Sequence, residues 1–398
     1  MARLAIIADD LTGAADAAVA FARHGHPTRV LLDPTFDPST DIVALTSETR
    51  HLASVAAAEQ VRQIARHLSG TEWLYKKIDS TLRGNPAAEL LALMDAAGET
   101  RALVAPAFPA QGRTTFAGRQ LLDGVALEET SFGAEITTSS LPHIFHGDDA
   151  CRSTRLIGLS DVRQGDRRLR TLLADPAPGV IVVDAATETD LDSIAAAALA
   201  AGLRLLSGSA GLCHALARLI APLSTGEVDR VRPIVAGPVL AIAGSQHRTT
   251  IAQVESARSS GIVIIEPRGC SPSETARIIN ASRSFLRINR DLIISSHRIA
   301  ASAIGDRDVA AWLAQAVERI VEQGLPGGLI LTGGEVASAV CGRLHSGAID
   351  LHGEVQPGIP WGILRGGPLD TLPIITKAGG FGDPTTLAAA FAFLHDND

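Results

Sequence analysis

Ten consecutive residues, Lys76 to Asn85, read KKIDSTLRGN and crowd two lysines, an aspartate, a serine, a threonine, an arginine and an asparagine around one glycine. They follow a strand-like run, Trp73-Leu74-Tyr75, and precede a helix-like run that begins near Pro86. Folding alone rarely asks for so many different donors and acceptors in a short turn. A site for a small, multiply hydroxylated anion does: Lys and Arg recognise a carboxylate or phosphate, and Asp and Asn bond hydroxyls. The structural alternative is a polar strand-to-helix connection with capping residues.

Asp9 and Asp10 follow the apolar run Leu4 to Ala8 and precede an Ala-rich helix from Ala14. Neighbouring side chains on a strand point oppositely, so both reach one site only if the chain has already turned. The alternative is that one of them caps the helix with Thr12.

The second half holds three junctions of one kind: Gly244-Ser245-Gln246-His247, Thr332-Gly333-Gly334-Glu335 and Lys377-Ala378-Gly379-Gly380-Phe381-Gly382-Asp383. Glycine lets backbone N–H groups approach a phosphate, and a following helix presents its positive end. Lys377 could add a mobile charge. One glycine pair alone is more readily a tight turn; three after strands in one domain favour nucleotide phosphates. The chain has no G-x-x-x-x-G-K-[ST] and no G-x-G-x-x-G in its first strand-to-helix turn, which argues against a P-loop NTPase and a standard dinucleotide fold. No G-x-S-x-G elbow occurs. The twelve histidines are scattered, and no metal-ligand spacing is visible, so no protein metal site is assigned.

The elements that must position these residues alternate. Strands are expected at Leu4 to Ala8, Thr28 to Leu32, Ile42 to Thr46, Leu74 to Ile78, Ala102 to Ala105 and Val180 to Asp184. Helices are expected from Ala14 to about His24, Ser54 to Leu68, Pro86 to Ala97, Asp190 to Ala201 and Gly211 to Leu219. Alternation of this kind implies parallel βαβ units, in which ligands bind beyond the carboxyl ends of the strands. Asp9-Asp10, Thr46 to Arg50, Lys76 to Arg83 and Pro106 to Arg113 then share one sheet edge. Residues 106 to 160 lack periodicity and are expected to be irregular or hairpin structure over the site. Ala221 to Pro238, with three prolines and two glycines, is the expected domain boundary. A second α/β series follows, with strands at Val239 to Ala243, Gly261 to Ile265, Asp291 to Ser295, Gly328 to Leu331 and Pro373 to Thr376.

The fold class is therefore α/β, two domains with mainly parallel sheets, residues 1–225 and 238–398. A chain of 398 residues suits two domains. Aromatics are only 4% of residues, so Ala, Leu, Ile and Val must build the cores. The net charge of −8 and the lack of a long basic run speak against nucleic acid, without excluding a local basic pocket. Cys151, Cys213, Cys270 and Cys341 are far apart and read as buried free thiols. The start of the chain reads as a strand, not a signal peptide, and no run of ~18 apolar residues predicts a membrane span. A cytoplasmic protein is expected.

The run Ala8-Asp9-Asp10-Leu11-Thr12-Gly13-Ala14, Lys76 to Asn85, Gly244-Ser245, Thr332 to Glu335 and Lys377 to Gly382 together resemble the four-carbon acid sugar kinase family, from about residue 4 to 395. The resemblance implies an ATP-dependent kinase acting on D-threonate, D-erythronate or a 3-oxo-tetronate, with phosphate placed on the 4-hydroxyl. It implies an acid-sugar domain followed by an ATP domain, with the active site in the cleft between them. It puts Ser245, Gly333, Gly334, Glu335, Val336 and Gly380 where the family holds ATP, with Lys377 and Gly379 in the same loop. This chain has Val336 where many relatives have Thr.

Lys77 and Arg83 are then expected to hold the sugar carboxylate, with Arg50 a further candidate. Asp9, Asp10 and Asp79 are expected to orient hydroxyls, in a site completed by Ser80, Gly84 and Asn85. One aspartate accepts the 4-hydroxyl proton: Asp10, with Asp383 its rival. Mg²⁺ is expected to bridge the ATP phosphates while keeping several waters. The small-molecule partner is the acid sugar; a homo-oligomer is compatible with the sequence. The competing reading, a non-catalytic acid-sugar sensor, has no use for three phosphate loops. An oxidoreductase would need the absent dinucleotide fingerprint.

Overall fold

The computed structural model describes residues 2–68, 70–146, 153–220, 234–299, 305–322 and 326–395. The chain forms two compact units. One comprises Met1–Thr28 with Pro38–Thr225, the other Arg29–Asp37 with Gly226–Asp398. Residues 221–233 of the expected boundary, and Cys151, lie outside the described residues.

The first unit is built on parallel strands in the spatial order Ile42–Thr46, Leu4–Ala8, Trp73–Lys77, Leu205–Gly208, Arg101–Ala105, Gly179–Val183, Ser153–Ile157. Leu4–Ala8 and Gly179–Val183 are buried at every position. Helices cover both faces of such a strand, so its sequence is continuously apolar rather than alternating. Helix Leu11–Arg23 is buried almost all round and is Ala-rich, which lets it pack closely against Ala210–Leu219. Helix Pro86–Ala97 opens on Pro86, whose missing N–H is not needed there, and stops at Gly98 with φ 68°.

Ser153–Ile157 falls in a stretch expected to be irregular or hairpin. It is an edge strand, paired in parallel with Gly179–Val183 on one side only and half exposed, so it lacks an apolar run. The rest of that stretch includes an antiparallel meander, Arg113–Phe116, Arg119–Leu122 and Val125–Ala126. The first turn of the meander is anchored by Asp184, which accepts from the N–H groups of Ala117 at 2.7 Å and Gly118 at 2.9 Å. Gln120 Nε2 donates to the carbonyl of Ser80 at 2.9 Å, tying the meander to the KKIDSTLRGN loop.

The second unit has parallel strands in the order Val263–Ile265, Leu292–Ser295, Val239–Ala243, Gly328–Thr332, Pro373–Lys377. The antiparallel hairpin Ile359–Arg365 and Ala348–Gln356 extends it. Its core packs Val239, Ala241, Ile293, Ile330, Trp361, Ile375 and Phe391. The early segment Arg29–Asp37 belongs to this unit: Leu32 N–H donates to Gly347 O at 2.9 Å, and Arg29 pairs with Asp350 at 2.6 Å. Residues 29–32 of the strand expected at Thr28 to Leu32 therefore fall outside the first unit; a strand's partner more than 300 residues away leaves no local mark. The hairpin and the helices Pro272–Arg287 and Gly334–Arg343 were also absent from the sequence expectation. Cys213 and Cys341 are buried, but Cys270 is only half-buried. Among the described residues no helix is long and apolar enough to cross a membrane.

Candidate functional site

In the first unit the register places Ala8 level with Thr46, and both Lys77 and Ala105 level with Gly208. The chain thus leaves several parallel strands at one edge, the carboxyl edge where ligands bind in such sheets. Asp9-Asp10, Ser47 to Arg50 and Ile78 to Asn85 all emerge there.

Asp10 caps helix Leu11–Arg23 from an extended conformation, accepting Gly13 N–H at 2.6 Å. It also pairs with Arg50. The same guanidinium binds Asp9, Nε to Oδ2 at 2.8 Å and Nη2 to Oδ1 at 3.0 Å. Asp10 thus caps the helix, and both carboxylates converge on one cation. Burial pushes the Asp9 carboxyl up, but the Arg50 charge and hydrogen bond, with Lys76 and Lys77 behind it, more than offset that and leave it below the usual range.

Asp79 is held in the same way. Burial would raise it, yet Arg83, Arg50 and Lys77 hold it far below the ordinary carboxylate range. Arg83 Nε donates to Asp79 Oδ2 at 2.5 Å and to Thr81 Oγ1 at 3.2 Å, and its guanidinium lies over the Phe132 ring. Gly84 takes φ +86°, and a Cβ there would sit 3.2 Å from Asp9 Oδ2, so only glycine lets the loop pass the clamp. Asn85 turns its amide to the carbonyls of Thr49 and Leu52, at 3.3 and 2.9 Å, which ties this loop to the Arg50 loop. Ser80 is half-buried in the same turn, its carbonyl taken by Gln120.

The two lysines that open the loop differ in kind. Lys76 is fully buried and pairs with Glu89 of helix Pro86–Ala97 at 2.7 Å, so it serves packing. Lys77 is buried but makes no ion pair among the described residues; its Nζ donates to Ile78 O at 3.2 Å. Its charge acts on both Asp9 and Asp79. Arg113 is a residue the sequence reading did not single out, although it closes the Pro106 to Arg113 loop. Burial lowers its pKa, with Asp79 and Asp123 opposing, and its buried Nε has no acceptor among the described residues. Lys77 and Arg113 therefore keep donor capacity that the fold itself does not use.

In the second unit the three glycine junctions lie on neighbouring strands, Val239–Ala243, Gly328–Thr332 and Pro373–Lys377. A Cβ on Gly379 would sit 2.0 Å from Ser245 Oγ, and one on Gly333 3.6 Å from Ser245 Cβ, so Ser245, Gly333 and Gly379 are brought together. Gly380 lies against the His247 ring. Gly334 and Glu335 open helix Gly334–Arg343. Val336 is buried with its side chain filling the space over Gly244, where a Cβ would meet its Cγ2 at 2.1 Å. Asp383 Oδ1 accepts both the N–H and the hydroxyl of Thr385, at 2.7 and 2.6 Å, and these bonds lower its pKa.

Lys377 is not the mobile charge expected of it. Its Nζ folds back onto the carbonyls of Ala378, Gly379 and Phe381 at 2.8, 3.3 and 3.2 Å. Thr250 Oγ1 on Gly379 O, and Gln253 Nε2 on the carbonyls of Phe381 and Asp383, brace the same loop from helix Arg248–Ser259. Both went unnoticed in the sequence, since each looks like an ordinary polar helix residue.

One unit thus gathers Asp9, Asp10, Arg50, Asp79 and Arg83 at a strand edge, and the other carries three glycine junctions on neighbouring strands. Comparison with known proteins gives the same division. Residues 4–216 match the sugar-binding N-terminal domain and residues 240–387 the nucleotide-binding C-terminal domain. The chain is 35% identical to a D-threonate kinase of Salmonella typhimurium over 99% of both chains. It is 37% identical to a D-threonate kinase of Cupriavidus necator over 96% of this chain and 95% of the other. A D-erythronate kinase of Heliobacterium modesticaldum is 29% identical over 99% and 97%. The fold is that of solved proteins from Salmonella typhimurium (TM-score 0.81, 24% identity, 98% of each chain) and Haemophilus influenzae (TM-score 0.76, 23% identity, 98% and 100%). A Bordetella bronchiseptica protein, 32% identical over 99% and 98% with a TM-score of 0.50, crystallised with bound citrate as a domain-swapped dimer. This chain belongs to the four-carbon acid sugar kinase family, and carries both of its domains in order.

Proposed function

We propose that this protein is an ATP-dependent kinase that phosphorylates the 4-hydroxyl of D-threonate, D-erythronate or a 3-oxo-tetronate. The observation that carries the acceptor half is Lys77: a buried ammonium with no carboxylate partner among the described residues, beside three aspartates held ionised or capped by Arg50 and Arg83. A small hydroxy acid supplies the missing anion. Lys77 and Arg83 hold its carboxylate, with Arg50 and Arg113 as further donors. Asp9, Asp10, Asp79, Ser80, the Gly84 turn and Asn85 set its hydroxyls. Relatives named D-threonate kinases make D-threonate the first acid to try.

Phosphoryl transfer is mostly positioning and charge neutralisation. The 4-oxygen forms a bond to the γ-phosphorus as the bond to ADP breaks, and Asp10 accepts the hydroxyl proton. Ser245, Gly333, Gly334, Glu335, Gly379, Gly380 and the backbone of Val336 cradle ATP. Mg²⁺, if bound with the nucleotide, would supply neutralisation of the phosphate charge. Glu335 and Asp383 are the carboxylates of the glycine loops that would hold it. The cluster Glu255, Glu266 and His297 does not fit a Mg²⁺ site, because Arg258 and Arg298 already neutralise Glu266 at 2.7 and 3.0 Å. We place the protein in the cytoplasm, where ATP is supplied. A homo-dimer is supported by the Bordetella relative and is checked by sedimentation.

A coupled ADP assay over a panel of four-carbon acid sugars tests this reading. The proposal expects ADP release that depends on one of those acids. Tight acid binding with no ADP release would favour the sensor.

A further inference from the structure

The Lys377 loop has a geometry that its glycines alone do not explain. A trans peptide plane points its C=O and the next N–H in opposite directions. The carbonyls of Ala378, Gly379 and Phe381 all converge on Lys377 Nζ. The N–H groups of Gly379, Gly380 and Gly382 must therefore point away from the ammonium. Among the described residues none of these three N–H groups donates to a protein acceptor, whereas the intervening Phe381 N–H closes a turn onto Ala378 O at 3.2 Å. Three unspent amides presented outward from a strand end form an anion-binding concavity.

We propose that Lys377 is a positioning residue: its buried ammonium serves as an internal cation that fixes the loop carbonyls inward and so presents the Gly379, Gly380 and Gly382 amides to nucleotide phosphate. The inference rests on the ATP reading of this domain and deepens it, since Lys377 acts through the loop rather than on the phosphate. The site is built for the role. Lys377 is 1% exposed, makes no ion pair among the described residues, and its three N–H donors meet three carbonyls. Two of those carbonyls are also held by Thr250 and Gln253, so the inward arrangement is over-determined. Burial pulls the Lys377 pKa down to about 7, which brings loss of the cation within reach of ordinary buffers. The titratable side chains on the flanking elements are His247 against Gly380, Asp383 at the loop's end and Glu335 on the adjacent turn.

The test is binding of Mg-ATP to the full chain by calorimetry, and the KM values for ATP and acid sugar, between pH 6.5 and 9.5. Wild type should bind ATP progressively more weakly above pH 7, with the acid-sugar KM unchanged. Lys377→Met, matched in length and apolar, should weaken ATP binding about tenfold or more at pH 6.5 and lose the pH dependence. Lys377→Arg, which keeps a charge, should recover part of the affinity and should not weaken with pH. The inference is overturned if Lys377→Met binds ATP as wild type does. It is overturned equally if the pH dependence persists in that variant, for it would then belong to His247, Asp383 or Glu335. Failure of the wild type to bind ATP at all would instead strike the nucleotide reading itself.

Discussion

Arg50 grips Asp9 with two nitrogens, Nε on Oδ2 at 2.8 Å and Nη2 on Oδ1 at 3.0 Å, and reaches Asp10 with the third. One side chain therefore sets the position of both residues that end the first strand. Lysine cannot reproduce a planar two-nitrogen grip. Arg50→Lys should lower kcat/KM about a hundredfold through misplacement of Asp9 and Asp10. Circular dichroism should still report a folded chain, and steady-state kinetics check the loss.

The same charges set the acid limit of the fold. Asp9 and Asp79 have pKa values depressed by their cations, against burial. Their contribution to stability is full above the unfolded carboxylate value near 3.9 and is lost as pH falls through the depressed folded values. Stability should thus fall below about pH 4, and the fall should be shallower in Asp79→Asn. Lys377 has the same sign of linkage in a higher pH window. Its folded pKa is about 7 against an ordinary 10.5, so between those values the unfolded chain binds one proton more, and this group's contribution to stability rises with pH. Urea midpoints at pH 3, 7 and 9.5 check both slopes.

Lys76 and Glu89 form a fully buried pair that joins strand Trp73–Lys77 to helix Pro86–Ala97. Removing one partner leaves an uncompensated buried charge, whereas replacing both with apolar residues is often nearly neutral. Glu89→Leu should cost about 3–5 kcal/mol, and Lys76→Met with Glu89→Leu should restore most of it. Denaturation read through Trp73, with Trp312 and Trp361 replaced by Phe, isolates the first unit.

Two glycines should separate the roles of the two domains. Gly84→Ala strains a φ of +86° by about 1–2 kcal/mol and crowds Asp9, so it should raise the acid-sugar KM and leave the ATP KM alone. Gly379→Ala puts a methyl 2.0 Å from Ser245 Oγ and should do the reverse. If both variants shift the same KM, the assignment of domains to substrates is wrong.

Much of this was legible in the sequence because local pattern and local chemistry coincide. The apolar run Leu4–Ala8 and the polar residues after it announce a buried strand and its functional end, and KKIDSTLRGN carries its own glycine turn. What was hidden depends on distant partners. Lys76 and Lys77 are adjacent and identical in type, yet Glu89 one helix away makes the first structural. Arg29 to Asp37 joins the second unit through Gly347 and Asp350. Lys377 looked like a mobile charge because sequence does not show its own loop carbonyls folding around it.

The identity of the product tests the central claim most directly. The protein is incubated with Mg-ATP and D-threonate, then with D-erythronate and a 3-oxo-tetronate, and the product is observed by proton-coupled phosphorus NMR. A phosphate on the 4-oxygen is split into a triplet by the two C4 protons, formed in step with ADP, and Asp10→Asn or Arg83→Ala abolishes it. ADP formation without a phosphorylated acid, a doublet from phosphate on a secondary hydroxyl, or full activity in the Asp10→Asn, Arg83→Ala double variant would contradict the account.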